Sequence, residues 1–327
     1  GGLDYRNYSA DSGIDHISWT AEGLFAYNLP AGLSFRFLDR FTRDRDRFDR
    51  GSFLLQDFVL DEEGIRISTP SFIRDYNSNL ANIALGYAVS DKYSVLLEYT
   101  NFLLDYDDAI NSWLNRTDHR LTLSLSYHYS PKTSFFAEYS RALVRYDEDA
   151  GNDSEYSFYY GGVDWKGSAK TSLAAKAGYQ VKEYDTIDQD NTSAFSLEGR
   201  FNYRITEKTG VTFSLYKALE ETDSFTDRGV DTIAARLNYE QRFSYRFRGT
   251  CEFSYELNDH QGLSRLPVPA PVPEREDTTF AVRPSLEYIV RDWLSAGVAY
   301  SFENRDSNDN RYDYTTQTIL ITLNIAF

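Results

Sequence analysis

Between His119 and Tyr129 the chain alternates without a fault. Leu121, Leu123, Leu125, Tyr127 and Tyr129 fall on one parity, and Arg120, Thr122, Ser124, Ser126 and His128 on the other. Successive side chains point to opposite faces of a β-strand, so this spacing predicts a strand with one apolar and one hydrophilic face. The rhythm recurs along the chain. Phe195, Leu197, Phe201 and Tyr203 oppose Ser196, Glu198, Arg200, Asn202 and Arg204, while Ile233, Ala235, Leu237 and Tyr239 oppose Thr232, Arg236, Asn238 and Glu240. Charge stays on one side of each strand. Contact with hydrocarbon enforces that separation, because Arg or Lys at a bilayer midplane costs roughly 2–4 kcal/mol.

The last fourteen residues, Tyr314 to Phe327, follow the same rule: Ile319, Ile321, Leu323, Ile325 and Phe327 are apolar against Thr318, Thr322 and Asn324, with Leu320 the exception. A closing strand that ends on Phe resembles the C-terminal assembly signal of bacterial outer-membrane β-barrels. No stretch approaches the roughly 20 apolar residues that a spanning helix needs. Mean hydropathy of -0.53 looks too polar for a membrane protein, but alternating strands are only half apolar and give a weak hydropathy signal. The 26 Tyr and 22 Phe suit aromatic girdles at two membrane interfaces. A soluble β-sandwich or propeller would use the same strand signals without a membrane and is the alternative. Cys251 is the only cysteine, which excludes an intrachain disulfide, and its neighbours place it towards lipid. A barrel needs a signal peptide for export and this sequence shows none, so the expectation is a mature or trimmed form.

Short turns at 29–32, 90–92, 130–133, 166–170, 205–209, 242–244 and 290–292 alternate with longer polar links. In outer-membrane barrels the short turns are periplasmic. The expected fold is an all-β, transmembrane, antiparallel up-and-down barrel of about 16 strands, with 14 or 18 as alternatives. Residues 1–327 read as a single barrel domain. Residues 43–77 form a long extracellular hairpin or a loop folded into the pore, and 258–276 a Pro-rich loop containing the polyproline-like run Leu266–Pro273. Pro284 falls inside a predicted strand, where only a bulge would readily accept it.

Net charge is -16, and its placement matters more than its total. The links at 146–155, 183–190 and 220–228 are acidic, which makes the outer rim compatible with divalent-bridged lipopolysaccharide and a poor partner for nucleic acid. In the bore, the alternation points a basic wall inward: Arg200, Arg204, Arg236, Arg246, Arg248 and Arg283. Glu198, Glu240, Glu252 and Glu287 are its acidic counterparts, so the wall either guides an anionic solute or is stitched together by ion pairs. Further inward bases, among them Arg36, Arg120, Lys176 and Lys182, and acids such as Glu22, Glu98, Glu138 and Glu256, leave the lumen near neutral. Tyr216 and Phe136 are lumen aromatics placed to stack on sugars.

No catalytic constellation emerges. His16, His119 and His260 each follow an aspartate, but adjacent strand residues face opposite ways, so none of these pairs is a dyad. His128 reads as a polar wall residue. Asp147, Asp149 and Asp153 have the look of a calcium loop, but lack the glutamate and glycine positions of an EF-hand. They are a candidate weak divalent site, and no cofactor is expected.

The Tyr-rich hairpins L-G-Y-A-V-S-D-K-Y-S-V-L-L-E-Y at 85–99 and L-S-Y-H-Y-S-P-K-T-S-F-F-A-E-Y-S-R at 125–141 resemble those of the β-barrel porin 2 group, outer-membrane barrels associated with exopolysaccharide synthesis and export. The resemblance covers most of the chain. It implies a conduit for an anionic or neutral polysaccharide, with outer-membrane lipid, lipopolysaccharide and periplasmic export proteins as partners. A general diffusion porin and a non-conducting barrel that scaffolds an envelope complex are the other two readings of the fold.

Overall fold

The computed structural model of the chain describes residues 2–6, 16–46, 74–107, 109, 112–148, 153–185, 191–221, 227–262, 275–291 and 293–325. Sixteen strands follow one another: β1 (Gly2–Arg6), β2 (His16–Asn28), β3 (Leu33–Asp46), β4 (Arg74–Ala88), β5 (Tyr93–Tyr106), β6 (Arg116–Ser130), β7 (Thr133–Tyr146), β8 (Ser154–Ser168), β9 (Thr171–Tyr184), β10 (Thr192–Arg204), β11 (Thr209–Glu220), β12 (Asp227–Arg242), β13 (Phe247–Gly262), β14 (Arg275–Arg291), β15 (Leu294–Ser307) and β16 (Tyr314–Ile325). Each pairs with its sequence neighbours in a single up-and-down sheet, from β1 to β16 in order. Among the described residues no ladder joins β1 to β16. Of the long link expected at 43–77, residues 47–73 lie outside the described residues, as do 263–274 of the Pro-rich loop expected at 258–276.

The outward side chains are the ones the alternation assigns to lipid. Leu121 and Leu125 are each 52% exposed while their neighbour Arg120 is 2% exposed. Cross-strand aromatic pairs mark both edges of the apolar band: Tyr139 lies 5.2 Å from Tyr159 at one level, and Tyr93 lies 5.3 Å from Tyr127 at the other. Such girdles seat at the two membrane interfaces. Beyond the upper one the strands continue. β13 and β14 run to Gly262 and from Arg275, further than hydropathy indicates, because above the membrane both faces are polar and period two no longer carries an apolar signal.

The short turns are tight. Gly32 adopts φ 80°, and a Cβ there would meet Ala88 Cβ at 3.0 Å, so this turn needs glycine for its backbone and its space. Pro284 sits in an unbroken β14 opposite Cys251 of β13. On the other side, the ladder to β15 pairs Val282 with Phe302 and Ser285 with Ala299, omitting two residues on an unchanged register. The proline is accommodated by an interrupted ladder, not by the bulge that strand chemistry would suggest.

Candidate functional site

Four short-turn residues, Lys166, Lys170, Lys208 and Arg242, stand at one end of the bore. The adjoining ends of β10, β12 and β13 carry Arg200, Arg204, Arg236 and Arg248 on their inward parity. Together they line a cavity of about 750 Å³ whose other charged residues are Glu207, Glu240 and Glu252. Eight bases face three acids. In a low-dielectric wall such an excess focuses a positive potential on entering solute.

Part of the charge is neutralised within the wall. Glu240 lies 3.2 Å from Arg248 Nε and 3.4 Å from Arg242 Nε, and Glu252 lies 3.7 Å from Arg236 Nε. Arg283 stands higher in the bore, donating to Glu252 at 2.8 Å and to Glu303 at 2.8 Å. Arg204, Lys170 and Lys208 make no ion pair with a described residue, so their charge is directed at the cavity. Arg246 stands apart from the wall: it donates to Tyr288 Oη at 3.3 Å, and the parity of β14 puts Tyr288 on the lipid side of the rim. Its position just before β13 leaves it outside the alternation that was applied to it. Glu198 faces Lys176 at 3.5 Å, and Glu287 accepts from Ser295 Oγ at 2.8 Å.

The opposite half of the bore is of another kind. Lumen-facing Tyr156, Phe158 and Tyr160 on β8 are buried and stacked, with centroids 5.7 and 6.1 Å apart. Cations cover them: Lys182 over Tyr156 at 5.0 Å, Arg120 over Phe158 at 5.0 Å and Lys176 over Tyr160 at 4.6 Å. Nearby, Arg116 and Asp118 pair at 3.4 Å, and His260, Arg275 and Arg305 converge on Asp277. Sequence reasoning missed the Asp277 cluster because its members lie on β13, β14 and β15, and missed Arg116 with Asp118 although they sit two apart on one face of β6. His260 meets Asp277, not Asp259, since adjacent residues of a strand face opposite ways while a residue on the neighbouring strand can share its face.

The two lumen aromatics fare differently. Tyr216 is buried and donates to Glu220. Phe136 is half-buried and lies flat on β8, where a Cβ at Gly162 would fall 2.1 Å from its Cζ. His119 bonds Tyr99 Oη at 2.8 Å on the outside, and His128 sits between Ser94 and Ser134 at 3.0 and 2.8 Å. The His16 side chain lies outside what the structure describes. Asp149 lies outside the described residues, while Asp153 accepts from the Tyr146 N–H at 2.8 Å. Among the described residues no group of three or more His, Cys, Asp or Glu is arranged to hold a metal ion.

Residues 79–327 match the family described as "Putative beta-barrel porin 2". The chain belongs to that family. No curated protein matches it. Among solved structures, this porin is similar to the FrpB iron transporter from Neisseria meningitidis, F3-3 variant, at 9% identity and TM-score 0.52, covering 96% of this chain and 58% of the other. The apoprotein form of the F5-1 variant gives TM-score 0.52 at 9% identity over 90% of this chain and 52% of the other. The alcaligin outer-membrane receptor FauA from Bordetella pertussis gives 0.50 at 8% identity, covering 95% and 57%. The porin thus spans little more than half the length of each, and at such identity the likeness is one of fold. Family and fold place it in the bacterial outer membrane, with the short turns and the basic vestibule on the periplasmic side.

Proposed function

We propose that this porin is a transport conduit, not an enzyme, and that it draws an anionic solute from the periplasm towards the cell surface. In its most specific form the cargo is an exopolysaccharide, which periplasmic export proteins would deliver to the vestibule. The observation that carries the reading is the excess of eight bases over three acids around the periplasmic cavity. The buried outer half of the bore supports a regulated conduit over an open diffusion porin, whose lumen would be wet through its whole height. Outer-membrane lipid and lipopolysaccharide would contact the aromatic girdles. The non-enzymatic reading draws on His260, which among the described histidines is the one that faces a carboxylate, being buried beside Arg275.

Reversal potentials of the reconstituted porin in a salt gradient test the proposal. Anion preference is expected, and clear cation preference would overturn it. Deletion in a polymer-secreting host should abolish secreted polysaccharide while small-solute uptake stays normal. Lost solute uptake with normal secretion would instead establish a diffusion porin, and absence of conductance under every condition a scaffold.

A further inference from the structure

The seam between β10 and β11 differs from its neighbours at the outer end. β9 and β10 pair up to Lys182–Thr192, and β11 and β12 up to Glu220–Val230, but β10 and β11 pair only as far as Leu197–Lys217. Residues 192–196 of β10 therefore have no described strand along this edge. β11, for its part, stays laddered to β12 as far as Glu220–Val230 but turns its other edge away from β10. Ala218, Leu219, Glu220 and Glu221 are all buried, so the alternation kept by other outer ends is lost.

Side chains of other strands hold the edge that β10 leaves open. The Gln180 amide of β9 donates to Leu219 O at 2.6 Å and accepts from its N–H at 3.2 Å, in place of a ladder from β10. Ser196 Oγ donates to Lys217 O at 2.9 Å. Glu221 reaches further, accepting from Tyr146 Oη at 3.0 Å, Ser154 Oγ at 3.4 Å and Tyr156 Oη, with Lys182 Nζ at 2.7 Å. The end of β11 thus crosses β10 and lies against β7, β8 and β9 on the lumen side.

The sequence also fits a second position. Continuing the observed register one-to-one would pair Ser196 with Ala218, Phe195 with Leu219 and Ala194 with Glu220. Leu219 shares the parity of Phe213, Leu215 and Lys217, so it would then join Phe195 on the outer face, level with the Lys217–Asp231 pair at 2.7 Å. We infer that Ala218–Glu221 is a gate segment with two seats: latched across the outer bore through Glu221 and Gln180, as here, or zipped onto the edge of β10 with the bore cleared. Ladder hydrogen bonds to the open edge of β10 favour the zipped seat, and charge-assisted bonds to a buried carboxylate favour the latched one. Two compact arrangements of one element are what a switch requires.

Cross-linking tests the gate independently of conduction. In a Cys251→Ser background, Ala194→Cys with Glu220→Cys places two thiols opposite each other only in the zipped seat, within the reach of a disulfide. Asn202→Cys with Thr212→Cys, already paired on this seam, is the positive control. Oxidation of folded protein in outer-membrane vesicles should join the upper pair slowly, and Glu221→Gln should speed joining about tenfold, the effect of losing roughly one charge-assisted bond. Gln180→Ala should act in the same direction and serves if Glu221→Gln does not fold. The joined porin should show a larger conductance that reverts on reduction. An upper pair that never joins while the control does, or that joins at one rate with and without the latch residues, would overturn the gate. Joining without any conductance would leave the gate standing and remove the conduit.

Discussion

The basic vestibule and the buried half of this bore belong to one sheet, yet they treat charge in opposite ways. In the vestibule, Arg204, Lys170 and Lys208 point their charge at a water-filled cavity. In the outer half, Lys176 is 5% exposed and held between Glu138 at 3.2 Å and Glu198 at 3.5 Å, with its ammonium over Tyr160. Charge left facing water acts on solute, whereas charge withdrawn from water acts on the wall. The lesson is that a lumen that is near neutral in total can be attractive at one end and sealed at the other.

That contrast can be broken in four ways. Lys176→Met removes the ammonium held between buried Glu198 and half-buried Glu138 and should cost about 3 kcal/mol, read from the unfolding transition in detergent; a negligible loss would mean the outer half is wet. Next in size, reversing Arg204, Lys170 and Lys208 to glutamate should shift the anion-to-cation permeability ratio about tenfold. The shift should shrink as ionic strength rises above ~0.1 M, where screening acts over about 10 Å. An unchanged ratio would move selectivity out of the vestibule.

A smaller effect follows from acid. Burial alone would raise the Glu221 carboxyl, but Lys182 and Arg116 outweigh it and hold the group below the ordinary carboxylate range. Its other neighbours are Asp118 of β6, Tyr146 of β7 and Tyr156 of β8, with Tyr184 of β9 behind Tyr156 and Lys182. A depressed value stabilises the latched seat above the released carboxyl's value, and that stability is lost as pH falls through the latched one. Single-channel recordings should therefore show the larger conductance level more often at acid pH, and Glu221→Gln should flatten the dependence. Smallest of all, Glu240→Gln in the vestibule, against the exposed Arg242 and Arg248, should change stability by less than about 1 kcal/mol. A loss matching that of Lys176→Met would erase the distinction between the halves.

Much of the wall was legible from residue order. Leu121, Leu123 and Leu125 face outward and Arg120 inward because a strand in hydrocarbon has no other choice of face. Arg200, Arg204, Arg236 and Arg248 follow from the same parity. The partnership of Lys182 with Glu221 was not legible, since it joins positions 39 residues apart across an intervening strand. Arg246 was misplaced because it precedes its strand, where parity has no meaning. Leu219 carries an outward-facing parity and is nevertheless buried, so at that point the local rhythm and the fold disagree.

Pro284 leaves a further consequence. Between β14 and β15 the sheet lacks two rungs at mid-height, and a bilayer offers no water to replace them. Arg283 spans the missing rungs from inside, its Nε donating to Ser301 Oγ at 3.3 Å. The sheet thus has a soft staple line in its middle, and amide exchange along β15 should admit deuterium sooner at whichever of Tyr300 and Ser301 turns its N–H to β14 than at its neighbour, which bonds to β16.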